Sequence, residues 1–351
     1  MKQSKNNLSD ELGARNECIL RAIVKEYIQS AEPVSSRTIS EKYSIGLKAA
    51  SIRSVMSELE KEGYIMRPHS SAGRIPTLKS YRVFVSNKLE LTNPGAGELR
   101  HIENLFSGVS EPEKLLLSTT KALSDLTHLT AVVLTPTPEE LKIRTIRFVE
   151  VDHSKVMLLI VSMEHLIYSN VIEPEEMPVA RELEKMNNYL EKISFNTTLG
   201  ELTEQVKTEM KKDKFTYEAL LNKALKLSQA ILSKAEKNTE SRLHLEGTTN
   251  IFDQPEFKSD MDKMKSIFSA FEKKNILMGL LTKSMEEGGI HICMDKDDLD
   301  AALLGLSFVV SPYGKDGQTL GSLGVIGPAR MDYSKVVPLV SYVAGSFGKA
   351  I

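Results

Sequence analysis

The chain has no tryptophan, only two cysteines and few aromatics. Cys18 and Cys293 stand near opposite ends of 351 residues, which excludes a disulfide framework and a cysteine metal cluster. Both have apolar neighbours, so buried thiols in a reducing, cytoplasmic compartment are expected. Long hydrophobic runs are also missing. The strongly apolar stretches at 131–134 and 156–163 fall far short of the roughly 20 residues a membrane span needs. The opening MKQSKNNLSDE is basic but has no apolar stretch behind it, so no signal peptide is expected. Nor is there a charge excess overall: 45 Lys and Arg against 47 Asp and Glu give a net charge of -2. That balance hides a split. Residues 1–90 carry 15 basic and 10 acidic side chains, and the remainder 30 and 37, so one end suits a polyanion.

Catalytic and cofactor signatures are scarce as well. His101, His128, His153, His165, His244 and His291 lack metal-ligand spacing, and His69 has no second ligand nearby. The acidic run at 295–300 lacks the glycine and terminal glutamate of a calcium loop. Gly314, Gly317, Gly321, Gly324 and Gly327 match no phosphate-binding pattern; turns and close backbone packing account for them better. No nucleophile, base and orienting group can be assembled. Neither an enzyme nor a cofactor is indicated.

What is present is helical periodicity with punctuation. Asn16 is the expected cap of a first helix carrying Ile19, Ile23, Val24, Tyr27 and Ile28, and Glu32-Pro33 stops it. Ser35 or Ser36 caps a short second helix. After a turn at Gly46, a third helix runs from about Ala49 to Glu62 with Ile52, Val55, Met56 and Leu59 on one stripe, and Gly63 closes it. A short strand at 64–66, a small-residue turn around Gly73, and a helix capped by Thr77 follow. Two helices joined by a tight turn, the second amphipathic, make a helix-turn-helix candidate. Duplex DNA binding and a protein-interaction module both fit that pattern. The hairpin with Arg67, His69 and Arg74 favours DNA, because it suits a wing laying cations along the backbone.

In the DNA reading, Ser51, Arg53, Ser54 and Ser57 face base edges, and Arg53 can address guanine bidentately. Arg37, Lys48, Arg67, His69, Arg74 and Lys79 serve the phosphate backbone and the wing. Beyond a break near Pro94 come helices near 99–106 and 111–129, then strand candidates at 131–135, 141–151, 155–162 and 166–172. The stretch 178–235 reads as helical throughout, with apolar positions at Leu183, Met186, Leu190 and Ile193, then Leu220, Leu221, Leu225 and Leu232. Strands resume at 289–294, 301–311 and 320–326, the last two separated by turns at Pro312 and Gly317. A strand block, a helical block and strands again predict an α+β multidomain chain with an inserted helical segment. The expected units are 1–90, 91–177, the insertion at 178–240, and 241–351.

Three blocks resemble the bacterial heat-inducible transcription repressor family HrcA. They are PVSSRTISEKYSIGLKAASIRSVMSELEKEGYIMRPHSSAGRIPTLKSYRVFV at 33–85, EGTTNIFDQPEF at 246–257 and LGSLGVIGPARMDYSKVVPLVSYVA at 320–344. The resemblance implies an N-terminal winged helix-turn-helix, a GAF-like α+β domain, and an inserted helical dimerisation segment. It further implies a homodimer that binds double-stranded operator DNA with inverted-repeat symmetry, represses chaperone operons, and has the GroEL chaperonin as modulator. Arg53 takes the place of the family's helix arginine and Arg74 that of its wing arginine. Lys48-Ala49 stands where the family usually has Ser-Pro, Ser54-Val55 where it has Asn-Asp, and Leu78-Lys79-Ser80 where it has Asp-Lys-Gly. These departures put the base preference in question and leave the fold intact. The alternative in the same class is a regulator whose GAF-like domain answers to a small molecule.

Overall fold

The computed structural model describes residues 12–70, 72–86, 91–107, 112–136, 141–174, 177–210, 242–258, 261–272, 274–294, 303, 305–315 and 317–350. The acidic run at 295–300 and the apolar positions Leu220, Leu221, Leu225 and Leu232 lie outside them.

The N-terminal unit holds α1 (Ala14–Ser30), α2 (Ser36–Lys42), α3 (Ala49–Lys61), the short strands β1 (Ile65–Met66) and β2 (Ile75–Pro76), and α4 (Leu78–Ser86). The helix α1 starts earlier than expected. Gly13 takes the cap position, and Asn16 lies inside the first turn, its side-chain amide donating to Glu58 on α3 at 3.4 Å. Ala31 ends α1 in a left-handed conformation, its N–H returning to the Tyr27 carbonyl. Ser35 does cap α2, its hydroxyl accepting from the Thr38 N–H at 3.1 Å. The stripe of α3 is buried as the spacing requires: Ile52, Val55, Met56 and Leu59 pack with Ile19, Leu20, Ile23 and Ile39. Gly63 closes α3 at φ +76°, a conformation costly for any residue with a Cβ. Thr77 precedes α4, but its hydroxyl donates to the Gly63 and Tyr64 carbonyls, tying α4 to the end of α3.

The central unit is a five-stranded antiparallel sheet in the order β7-β3-β10-β9-β8. Its strands are β3 (Thr130–Leu134), β7 (Leu243–Glu246), β8 (His291–Cys293), β9 (Leu306–Lys315) and β10 (Gln318–Pro328). Helices cover both faces. On one side lie α5 (Ala96–Ser107), α6 (Pro112–Thr127) and α11 (Tyr333–Ala350); on the other lie α9 (Met261–Glu272) and α10 (Lys274–Glu287). Along β3, Ala131 and Val133 enter the first core and Val132 and Leu134 the second. Burial on both faces is why these strands read as unbroken apolar runs. Pro312 was expected to end a strand, yet it sits within β9, opposite Ser322. The neighbour β8 pairs only with Phe308–Val310, so β9 is locally an edge there and tolerates the missing N–H. The cysteine expectation is corrected too: Cys18 is exposed on α1, because its apolar neighbours in sequence point to another side of the helix, and Cys293 is half-buried.

The excursion from this sheet differs from the sequence reading. The strands β4 (Ile143–Asp152), β5 (Lys155–Ser162) and β6 (Ile167–Ile172) do not join the central sheet. Among the described strands they pair with one another, as an antiparallel meander. One face packs against α7 (Ala180–Ser194) and α8 (Leu199–Met210) around Ile146, Phe148, Leu158, Ile160, Leu183, Met186 and Leu190. Asn187 of α7 covers the free edge of β4, accepting from the Phe148 N–H at 2.7 Å and donating to its carbonyl at 2.9 Å. The chain leaves the central sheet after β3 and returns at the adjacent strand β7, where Arg242 donates twice to the Thr135 carbonyl.

Candidate nucleic-acid interface

The helix α3 is held from behind by charged and polar ties as well as by its apolar stripe. The carboxylate of Glu26, buried on α1, takes the Lys42 ammonium at 2.5 Å and the Tyr43 hydroxyl at 3.4 Å. Burial and this carboxylate push the Tyr43 phenol up to about 12. The turn between α2 and α3 passes through Gly46 at φ +74°, and the Ser40 hydroxyl donates to the Leu47 carbonyl across it. The result is a rigid α2-turn-α3 pair fixed to α1.

The outer side of α3 presents Arg53 and Ser54 exposed and Ser51 half-buried beside them. Ser57 is half-buried, and its hydroxyl donates to the Arg53 carbonyl at 3.0 Å, which leaves it only as an acceptor. Lys48 is exposed at the N-cap position, and its own side chain makes no cap hydrogen bond. The N–H groups of that first turn have no carbonyl partner within the helix and lie at the positive end of its dipole, an arrangement suited to phosphate.

The remaining expected cations divide into two kinds. His69 is exposed at the tip of the β1–β2 hairpin. Arg37 is exposed and paired with Glu41 at 2.7 Å on the same helix. Arg67 pairs with Glu60 at 3.1 Å and remains largely open. Arg74, expected as an outward wing cation, is buried, with its guanidinium 2.9 Å from the same Glu60. Its backbone exchanges two 2.8 Å hydrogen bonds with Val34, adding a third strand segment to the ribbon. Gly73 permits this approach, because a Cβ there would fall 2.6 Å from the Pro33 and Val34 carbonyl oxygens. Lys79 lies 3.9 Å over the Tyr64 ring and donates to the Glu62 carbonyl at the end of α3. Arg74 and Lys79 thus brace the hairpin and α4 against α3. Glu26 and Glu60, the carboxylates that organise this surface, carried no signal in the sequence: their partners lie 7 to 17 positions away with no helical register to link them.

Residues 113–337 match the family model for the HrcA protein C-terminal domain. The chain belongs to the HrcA family. A heat-inducible transcription repressor HrcA from Geobacter sulfurreducens is 36% identical over 95% of this chain and 96% of its own. One from Xylella fastidiosa is 32% identical over 98% and 97%. A crystal structure described as a hypothetical protein at 2.2 Å resolution shares the fold, with TM-score 0.63, 22% identity and coverage of 97% of this chain and 98% of that one. Family membership assigns a transcription regulator in place of an enzyme. Among the described residues no helix is long and apolar enough to cross a membrane. Two of the resembling blocks converge in space: the Gln254 and Glu256 side chains of the first meet Arg330 of the second.

Proposed function

We propose that the chain, a heat-inducible transcription repressor by family, works in the cytoplasm as a homodimer that reads an inverted-repeat operator and blocks transcription of chaperone genes. The N-terminal unit is a winged helix in this reading, and the five-stranded sheet with its helices is the GAF-like domain. The observation that carries it is the surface of α3. Arg53 is exposed with no ion pair among the described residues, Ser54 lies beside it and Lys48 stands at the start of the same helix, which is fixed to α1, while His69 is exposed on the hairpin. Base readout belongs to Arg53, Ser54 and Ser51, with Ser57 as an acceptor. Lys48, Arg37 and Arg67 neutralise phosphates and His69 contacts the backbone, while Arg74 and Lys79 hold the wing in place.

A second observation supports the homodimer. The far face of the β4–β6 sheet has the rows Val149–Met157–Val171, Arg147–Leu159–Ser169 and Thr145–Val161–Ile167. Val149, Val171 and Ile167 are exposed there. A two-fold pairing through this face would cover it and set two α3 helices on a two-fold site. The GroEL chaperonin as modulator rests on the family resemblance. Mobility shifts with the chain's own upstream DNA test the reading: Arg53→Ala should sharply reduce preference for that DNA over random duplex while salt-dependent binding persists. Equal preference in wild type and variant would move readout away from α3.

A further inference from the structure

The two C-terminal sequence blocks at 246–257 and 320–344 take no part in the DNA surface, yet they meet at one arginine. Arg330 lies between β10 and α11, with its side chain 16% exposed. Its Nε pairs with the Glu256 carboxylate, and its Nη2 donates to Gln254 Oε1 at 3.4 Å. The third direction of the guanidinium leaves the central unit: Nη1 donates to the Ile28 carbonyl at 3.3 Å. Ile28 is in the last turn of α1, where carbonyls have no partner within the helix and a cation is favourable. The helix α1 has no basic residue of its own in that turn. Both Glu256 oxygens are buried, and neither has a hydrogen bond among the described residues, so Arg330 is what compensates this carboxylate. Around the guanidinium the two units share one core: Val24, Tyr81 and Phe84 pack with Ile102, Met331 and Tyr333, and Tyr27 and Ile28 line its margin.

We propose that Arg330, with Gln254 and Glu256, is a positioning residue for DNA reading, locking α1 to the central unit so that the two α3 helices of a dimer keep one separation. The rigid path is continuous, because α1 also carries the Glu26 and Asn16 ties to α2 and α3. A planar guanidinium ion-pairs with Glu256 while donating to Gln254 and to the Ile28 carbonyl in fixed directions, which a lysine cannot do. The proposal rests on the reading of a dimer on a repeated site.

Two measurements separate the proposal from that reading. The first needs no DNA. Spin labels at Cys18 and at Ser341→Cys, in a Cys293→Ser background diluted into unlabelled chain, report the distance from α1 to α11 by pulsed EPR. The wild-type distribution should be narrow, and Arg330→Ala should broaden it. Because Arg330→Ala strands a buried carboxylate, the pair Arg330→Met with Glu256→Gln removes both charges and should broaden the distribution with the fold intact. An unchanged width in the doubly substituted chain overturns the proposal. The second measurement uses operators whose half-site spacing is varied by single base pairs. Arg330→Ala should lose on the order of tenfold or more on the best-spaced repeat. Its dependence on spacing should flatten, while affinity for an isolated half-site stays as in wild type. A spacing profile as sharp in the variant as in wild type overturns the latch. A wild type indifferent to spacing overturns the repeated-site reading, and the EPR widths then decide the latch alone.

Discussion

The N-terminal unit and the β4–β6 unit are both amphipathic layers with one face buried, and they differ in what they leave open. The helix α3 buries Ile52, Val55, Met56 and Leu59 and exposes Arg53 and Ser54. The meander buries Ile146, Phe148, Leu158 and Ile160 and leaves Val149, Val171 and Ile167 exposed beside half-buried Met157, Leu159 and Val161, with Arg147 an exposed charge on that face. A charged open face suits a hydrated polyanion, whose binding releases counterions and weakens with salt. An apolar open face suits a surface of its own kind, whose burial is non-directional and little affected by salt. In the proposed reading these are two docking surfaces that should fail independently.

The largest effect is expected at the apolar face. Met157→Glu places a charge in the middle of the Val149–Met157–Val171 row and should weaken dimerisation by roughly 3 kcal/mol or more, about a hundredfold in Kd. Sedimentation should show monomers with unchanged circular dichroism; a persistent dimer would place the contact elsewhere. Arg53→Ala comes next, with about 1–3 kcal/mol lost on the operator and little change in dimer affinity or melting temperature. Arg74→Ala should do the opposite, lowering the melting temperature of the N-terminal unit because it removes the buried partner of Glu60.

The pH response follows from buried phenols. Burial raises Tyr81, Tyr313 and Tyr333 above the usual phenol value, and burial with Glu26 takes Tyr43 to about 12. Folded-state values above the unfolded one mean stability that is complete below about pH 10 and is lost as pH rises towards and through the folded values. Chemical denaturation at pH 9, 10 and 11 should show this decline, accompanied by tyrosinate absorbance only on unfolding. Tyrosinate appearing in a folded chain at pH 10 from these four side chains would contradict it. The smallest effect belongs to Tyr81→Phe. Its hydroxyl is buried with no partner among the described residues, so removal should be neutral or stabilising by up to about 1 kcal/mol.

Local features were legible because their causes are local. The stripe of α3, its end at Gly63 and the Ser35 cap follow from spacing and turn chemistry within a few residues. What escaped was pairing across distance. Nothing in the alternation of β4 and β5 distinguishes a strand of the central sheet from one in a separate meander, so the excursion was expected only from 178 although the pairing changes after β3. Arg74 escaped in the same way. A cation beside a glycine turn reads as an outward wing contact, and only the fold brings Glu60 to it. Arg53 lay on the exposed side of a helix whose buried side was plain, and its placement followed.

The most direct test of two separate faces is a footprint of the chain on its upstream DNA, run in parallel for wild type, Arg53→Ala and Met157→Glu. Wild type should protect a two-fold symmetric site. Arg53→Ala should stay dimeric and lose the site, and Met157→Glu should keep half-site preference as a monomer while losing the joint footprint. A single-sided footprint for wild type, or a site still protected by Arg53→Ala at equal affinity, would contradict the account.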